Sequence, residues 1–346
     1  MTERTPFGVH YANQQSGVLM RRSSFATSLG LSLLLLMSAG TVSAATQFVN
    51  CGGKGALTSV GAALKALQNV PGPSTIHVSG ACHENIVIQN VDRLTISGSN
   101  GASITDASRG AADVVDIRNS NVTITGMTID GLSGLNNDAV DCEQGSHCTL
   151  LGNTIQGDAE PVGVYALSSA VIVGGVLQNG TSDGLFALGD VVAFGVLIQA
   201  NPVGVVVRFG GRARMGWVDP ASFPGFAKTP TTVENNGAGV GILQAQFACT
   251  GCVIQGNSGD GINGDVSAEV RVGPAFFPDG SSVAPSVTGN TGHGVYLGDL
   301  SSGSFGGPPS TVFGNGQPDI VCNSTTSVSR GALNAAGGAA HTNCTN

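Results

Sequence analysis

The stretch NNDAVDCEQGSHC, residues 136–148, places two aspartates, a glutamate, a histidine and two cysteines within thirteen positions. Paired carboxylates are suited to acid–base cleavage of a glycosidic bond, provided that one holds a proton while the other is ionised. A matching stretch, ADVVDI at 112–117, carries Asp116 where the first carries Asp141. Two residues 25 positions apart act together only if the chain returns to the same place. The elements that could bring it back decide whether this is a site.

The return is periodic. Aligning ADVVDI, NDAVDC, PVGVYA, SDGLFA, PVGVVV, GAGVGI, GDGING and GHGVYL gives steps of 25, 24, 21, 20, 35, 22 and 33 residues. A second series, GMTIDG, GNTIQG, GGVLQN and GVLIQA, keeps time with the first. The runs are short, apolar or alternating, and separated by Gly and Asn, which suits strands and excludes helices. A repeat of this length cannot bury its own apolar face, so stacked coils are expected at about 4.8 Å per turn. Val115, Val140, Val164 and Leu185 then point inward. Alternation turns Asp116, Asp141, Tyr165, Phe186 and Val206 outward in one column, with Arg118, Glu143, Leu167 and Arg208 in the next. Asp116 and Asp141 are the candidate catalytic pair, stacked roughly 5 Å apart. Tyr165 and Phe186 extend the column as a shelf for sugar rings. The competing reading is a solvated face whose charge Arg118 neutralises.

The chain resembles the right-handed parallel β-helix proteins of the pectin-lyase-like group. TIHVSGACHENIVIQNVDRLTISGSNGASITD (75–106) looks like their opening coils, and GNGQPDIVCN (314–323) like a last rung. ALTSVGAALKALQNV (56–70) has Leu57, Val60, Ala63, Leu64 and Leu67 at helical spacing, with Thr58 or Ser59 as a cap. It resembles the helix that covers the open N-terminal edge of these solenoids. The resemblance implies an all-β fold, a single-stranded right-handed parallel β-helix with a short N-terminal capping helix. It implies little about activity, because the fold hosts lyases, hydrolases, esterases, epimerases and non-catalytic adhesins. Gly292-His293-Gly294 matches one polygalacturonase motif, but the Asp-Asp pair and the R-x-K of that family are missing. No cofactor or metal cluster is read; calcium is the ion the resemblance would allow.

Two steps exceed the period by about a dozen residues, placing insertions at about 208–230 and 269–286. They should leave the coil on the same side, two coils apart. The first holds the only tryptophan, Trp217, with Phe223, Phe226, Arg208, Arg212, Arg214 and Lys228; the second holds Arg271, Phe276 and Phe277. Arginine beside an aromatic suits an anionic sugar, with a fork for the carboxylate and a flat face for the ring. Arg208, Arg212, Arg214 and Trp217, with Tyr165 and Phe186, are the candidate substrate-binding residues. The alternative is that the aromatics pack the loops themselves.

Residues 1–44 read as a signal peptide. Arg21 and Arg22 precede a short apolar run, Val42-Ser43-Ala44 offers a cleavage site, and Met20 is a possible start. Residues 45–346 form the β-helix domain. The whole chain has 14 basic and 22 acidic residues; without Glu3, Arg4, Arg21 and Arg22 it keeps 11 and 21, a net of −10. That charge disfavours nucleic acid and anionic membranes. The eight cysteines read as disulfides in an exported, periplasmic or extracellular chain. Proximity along the chain suggests Cys51–Cys82, Cys142–Cys148, Cys249–Cys252 and Cys322–Cys344. Two functions stand: a polysaccharide-active protein that binds and cleaves an acidic glycan, or a non-catalytic surface, matrix or adhesin-like protein.

Overall fold

The computed structural model describes residues 44–346, apart from 54, 56, 133–135, 307–311, 324–327, 331–340 and 343–346. The expected leader and Met20 lie outside these residues, but for Ala44.

The chain winds as a parallel β-helix of about eleven turns, as the period requires. Each coil contributes one strand to each of three ladders. The first ladder has eleven strands and includes Val115–Arg118, Asp138–Glu143, Glu160–Val164, Asp183–Ala187 and Val203–Arg208. The second includes Asn121–Thr125, His147–Leu151, Asp190–Phe194, Arg212–Gly216 and Glu269–Gly273. The third includes Thr128–Asp130, Thr154–Gln156 and Thr232–Glu234. The long strand Leu94–Thr105 starts in the second and ends in the third.

Alternation dictates the packing. In the second ladder Ile76, Ile96, Ile124 and Leu150 stack in register and are almost wholly buried. In the first, Val115, Val140, Val162 and Leu185 do the same. Here the expected register fails in one coil: Val162, not Val164, pairs with Val140. Pro161 falls level with Ala139, so the strand starts two residues earlier than the glycine alignment places it. A slip of two keeps the same face inward, which is why the apolar pattern did not reveal it.

Corners are closed by side-chain ladders. Asn201, Asn236, Asn257, Asn290 and Asn315 each donate from Nδ2 to the next Oδ1 at 2.8–3.1 Å, ending on Asp319. The N-terminal edge is covered by the expected helix, Val60–Leu67, which buries Val60, Ala63 and Leu67. Ser59 Oγ accepts from Ala62 N–H, and Glu84 accepts from Val60 and Gly61 N–H at 2.6 and 2.9 Å. Three expected disulfides are present: Cys51–Cys82, Cys142–Cys148 and Cys249–Cys252. The last consumes the thiolates a zinc site would need. Cys322 is disulfide-bonded, and its expected partner Cys344 lies outside the described residues.

Both extra stretches leave the coil at the same corner, between second and third ladders. They are shorter than expected: Arg212–Gly216 and Glu269–Gly273 are regular strands, which leaves 217–231 and 274–285 as loops.

Candidate functional site

Asp116 and Asp141 pair in register on neighbouring coils of the first ladder. Both point away from the core, opposite to Val115 and Ile117, yet both are buried, at 4% and 8% exposure. They do not form the solvated column that simple alternation predicts, because other acids and Arg118 gather over them. Arg118 donates to Asp116 at 2.5 and 2.9 Å and to Glu143 at 2.9 Å.

Four further acids complete the cluster, and the sequence reading passed over them. Asp113 and Asp138 stand three residues before Asp116 and Asp141; Asp138 pairs with Glu160, and Asp183 follows one coil on. Asp113 Oδ1 accepts from Asp138 N–H at 2.8 Å. The signal was the repeated D-x-x-D. Strict alternation hides it, since residues three apart should face opposite ways. The strand entrance breaks alternation: Val114 and Val115 are consecutive and both fully buried, as are Ala139 and Val140.

The corrected register changes the role of Tyr165. Gly163, not Tyr165, follows Asp141 in the column, and Phe186 follows Gly163. A Cβ on Gly163 would run into the Asp138 carboxylate and the Tyr165 ring, so glycine lets these two groups converge over the strand. Tyr165 and Phe186 still touch, with centroids 5.7 Å apart.

Electrostatics follow from crowding. Burial, then Asp113, Glu143 and Asp116, push the Asp141 carboxyl up to about 8, against the pull of Arg118. Asp138 is raised strongly by burial and by Glu160 beside it. Burial and Glu160 push Asp183 up to about 6, opposed by Arg208. Burial and the same acids keep the Tyr165 phenol protonated. Asp141 Oδ1 is buried without a hydrogen-bond partner. Below about pH 8 the cluster thus holds a protonated carboxyl next to an ion-paired carboxylate, the two states that acid–base chemistry needs.

One oxygen each of Asp116, Asp141 and Glu143 lie within 4.8 Å of one another, close enough to hold a cation. Arg118 already supplies positive charge to two of the three. A second such group among the described residues, Cys51, Cys82 and Glu84, has its cysteines locked in a disulfide.

Of the remaining candidates, Arg208 borders the acid cluster, and Arg212, Arg214 and Trp217 lie on other elements. Arg208 ends its first-ladder strand, near Asp183. Arg212 and Arg214 are exposed on the second ladder rather than in a loop. Trp217 starts the 217–231 loop, so a groove from the acids to Trp217 would have to turn the corner and cross the second ladder. Its indole N–H donates to Gly251 O, and its ring meets Phe277 edge-on at 6.2 Å. Lys228 sits over Phe277 at 3.6 Å and faces Asp279 at 3.8 Å, so the two loops clasp each other.

Neither protein-family models nor curated protein sequences give a match. Among solved structures the chain is similar to "Geobacillus virus E2 - ORF18", with 16% identity and a TM-score of 0.38, over 82% of this chain and 61% of that one. It is also similar to the A-module of the Azotobacter vinelandii mannuronan C-5 epimerase AlgE6, with 11% identity and a TM-score of 0.36, over 82% and 93%. At these values neither likeness bears on what this chain does. No helix among the described residues is long and apolar enough to cross a membrane.

Proposed function

We propose that this is an exported polysaccharide-active β-helix protein that cleaves a glycosidic bond on the outer face of its first ladder. The observation that supports this is the pairing of Asp116, ion-paired to Arg118, with Asp141, buried and bearing an unpartnered oxygen. Asp141 gives its proton to the leaving glycosidic oxygen as that bond to the anomeric carbon breaks. One oxygen of Asp116 and one of Asp141 lie within 4.8 Å of each other. So short a separation suits direct attack by Asp116 on the anomeric carbon, with water later displacing it and returning the proton to Asp141. An extended sugar chain needs a flat face rather than a pit, and Tyr165 and Phe186 line that face.

The reading makes Asp116→Asn and Asp141→Asn lose at least about a hundredfold in cleavage rate, a loss typical of a missing acid–base group. Wild-type activity should decline above pH 8, and the newly formed chain end should retain its anomeric configuration. Screening reducing-end release on a panel of neutral and acidic polysaccharides, with NMR of the product, checks both. The second reading, a non-catalytic glycan-binding protein, is favoured by the burial of both Asp116 and Asp141, at 4% and 8% exposure. It prevails if no polysaccharide is cleaved, or if Asp141→Asn cleaves as wild type does.

A further inference from the structure

The outward side of the second ladder holds a recess of about 310 Å3, bordered by Asp190, Arg212, Arg214, Gln246, Glu269 and Arg271. Through Val192 and Arg214 it continues into a second recess of about 320 Å3, walled by Phe194, Trp217 and Phe276. Register places the arginines. Arg214 pairs with Ala248 and Ala248 with Arg271, so two guanidiniums rise from one column, two coils or about 10 Å apart. The small side chain between them leaves the floor open. Arg212 stands two residues before Arg214 on the same strand and the same face.

These side chains stay open to solvent. Arg271 holds Glu269 at 2.5 Å but stays 68% exposed. Arg212 and Arg214 are exposed and enter no ion pair among the described residues. Three arginines thus face two acids on a chain whose net charge is −8. The wall is apolar. Phe276, in the first strand of the hairpin within the second inserted loop, is 77% exposed. Trp217 is tied to Gly251 O and Phe277, so it fixes the wall, while Phe276 offers the free ring.

We infer that this face binds a sugar chain bearing anionic groups, laid along the axis of the solenoid. Arg214 forks one anion, Arg271, whose Nε and Nη2 hold Glu269, contacts a second at about a disaccharide's spacing, Arg212 reinforces the first, and Phe276 stacks on a sugar ring. The site stands independently of the hydrolytic reading, since the acids of that reading lie on another ladder. A carboxylate or a sulfate would satisfy the guanidiniums, and the ring is what calls for a sugar. A bilayer or a nucleic acid duplex presents dense anions without an exposed sugar face, leaving Phe276 without a role.

Calorimetric titration of the full mature chain tests this, with hexagalacturonate, its methyl ester, a chondroitin sulfate hexasaccharide, phosphatidylglycerol vesicles and a short DNA duplex as probes. We expect the hexagalacturonate or the sulfated hexasaccharide to bind, the better of the two naming the anion, and the uncharged ester to bind at least tenfold more weakly. Affinity should fall with added salt. Arg212→Ala/Arg214→Ala should weaken binding at least tenfold and Phe276→Ala several-fold. Arg214→Gln, a milder change at an exposed strand position, should weaken binding should the double variant fold poorly. Equal affinity for acid and ester, unchanged binding by both arginine variants, no binding of either anionic sugar, or preference for vesicles or DNA would overturn the inference.

Discussion

In the proposed reading Asp141 carries both chemistry and instability. Its carboxyl titrates at about 8 in the folded chain, against an ordinary value of 3.8. The folded state therefore binds this proton more tightly than the unfolded state does. The associated stability is fully present below pH 3.8 and is lost progressively as pH rises towards 8. Its size is on the order of a few kcal/mol, shared with the other acids of the cluster. We predict that the melting temperature of wild type falls between pH 5 and pH 9, and that Asp141→Asn flattens the fall and is the more stable protein at pH 9. Parallel pH–melting curves for the two would refute the assignment. A substitution that stabilises while it abolishes cleavage is the mark of a strained active site rather than of a packing residue.

At the scale of the element, the asparagine ladder shows what a corner requires. Asn236 Oδ1 accepts from both Asn201 N–H and Asn201 Nδ2, while its own Nδ2 donates to Ile198 O, Glu234 O and Asn257 Oδ1. All of these bonds but the partly buried one to Glu234 O are buried, so removing the amide strands backbone groups on two coils. Asn236→Ala should cost about 2 to 4 kcal/mol, read as a lowered midpoint in urea. Asn236→Asp should cost a comparable amount at pH 7, because a carboxylate replaces the two N–H donors that the three acceptors share and would be buried charged. An Asp variant as stable as wild type would mean the ladder is held by acceptors alone. The capping helix makes the complementary point. Eight residues do not hold a helix by themselves in water; Glu84 and three buried apolar residues hold this one in place.

Over the whole molecule, stability is a sum of coil-to-coil interfaces, so the ends open first. Cys51–Cys82 joins the first coil to the next across 31 residues, and Glu84 binds the cap two residues later. We predict that Cys51→Ser/Cys82→Ser lowers stability by about 2 to 4 kcal/mol, and that hydrogen exchange quickens in residues 45–90 while the coils from 160 to 300 keep their protection. Uniform loss of protection would show that the solenoid unfolds as one unit. The inserted loops act at this scale too. They clasp each other through Trp217, Lys228 and Phe277 across an intervening coil, and so build a wall that neither makes alone.

The period, the strand type, the capping helix, the three pairings of near-neighbour cysteines and the alignment of Asp116 with Asp141 were all legible in the sequence. Each depends on local pattern: apolar residues repeating every second position, polar turns between them, and a coil length close to constant. What the pattern left open was decided in three dimensions. A two-residue slip at Glu160–Val164 leaves the apolar face unchanged, so only the backbone pairing could put Gly163 beside Asp141 and lift Tyr165 out of the column. The D-x-x-D repeat was visible, but a break in alternation at Val114–Val115 and Ala139–Val140 was needed to turn all four aspartates outward. Likewise the arginines near residue 212 read as loop residues because a long step conceals a regular strand inside it. Burial and pairing are properties of neighbours far apart in sequence, and those neighbours exist only once the coils have stacked.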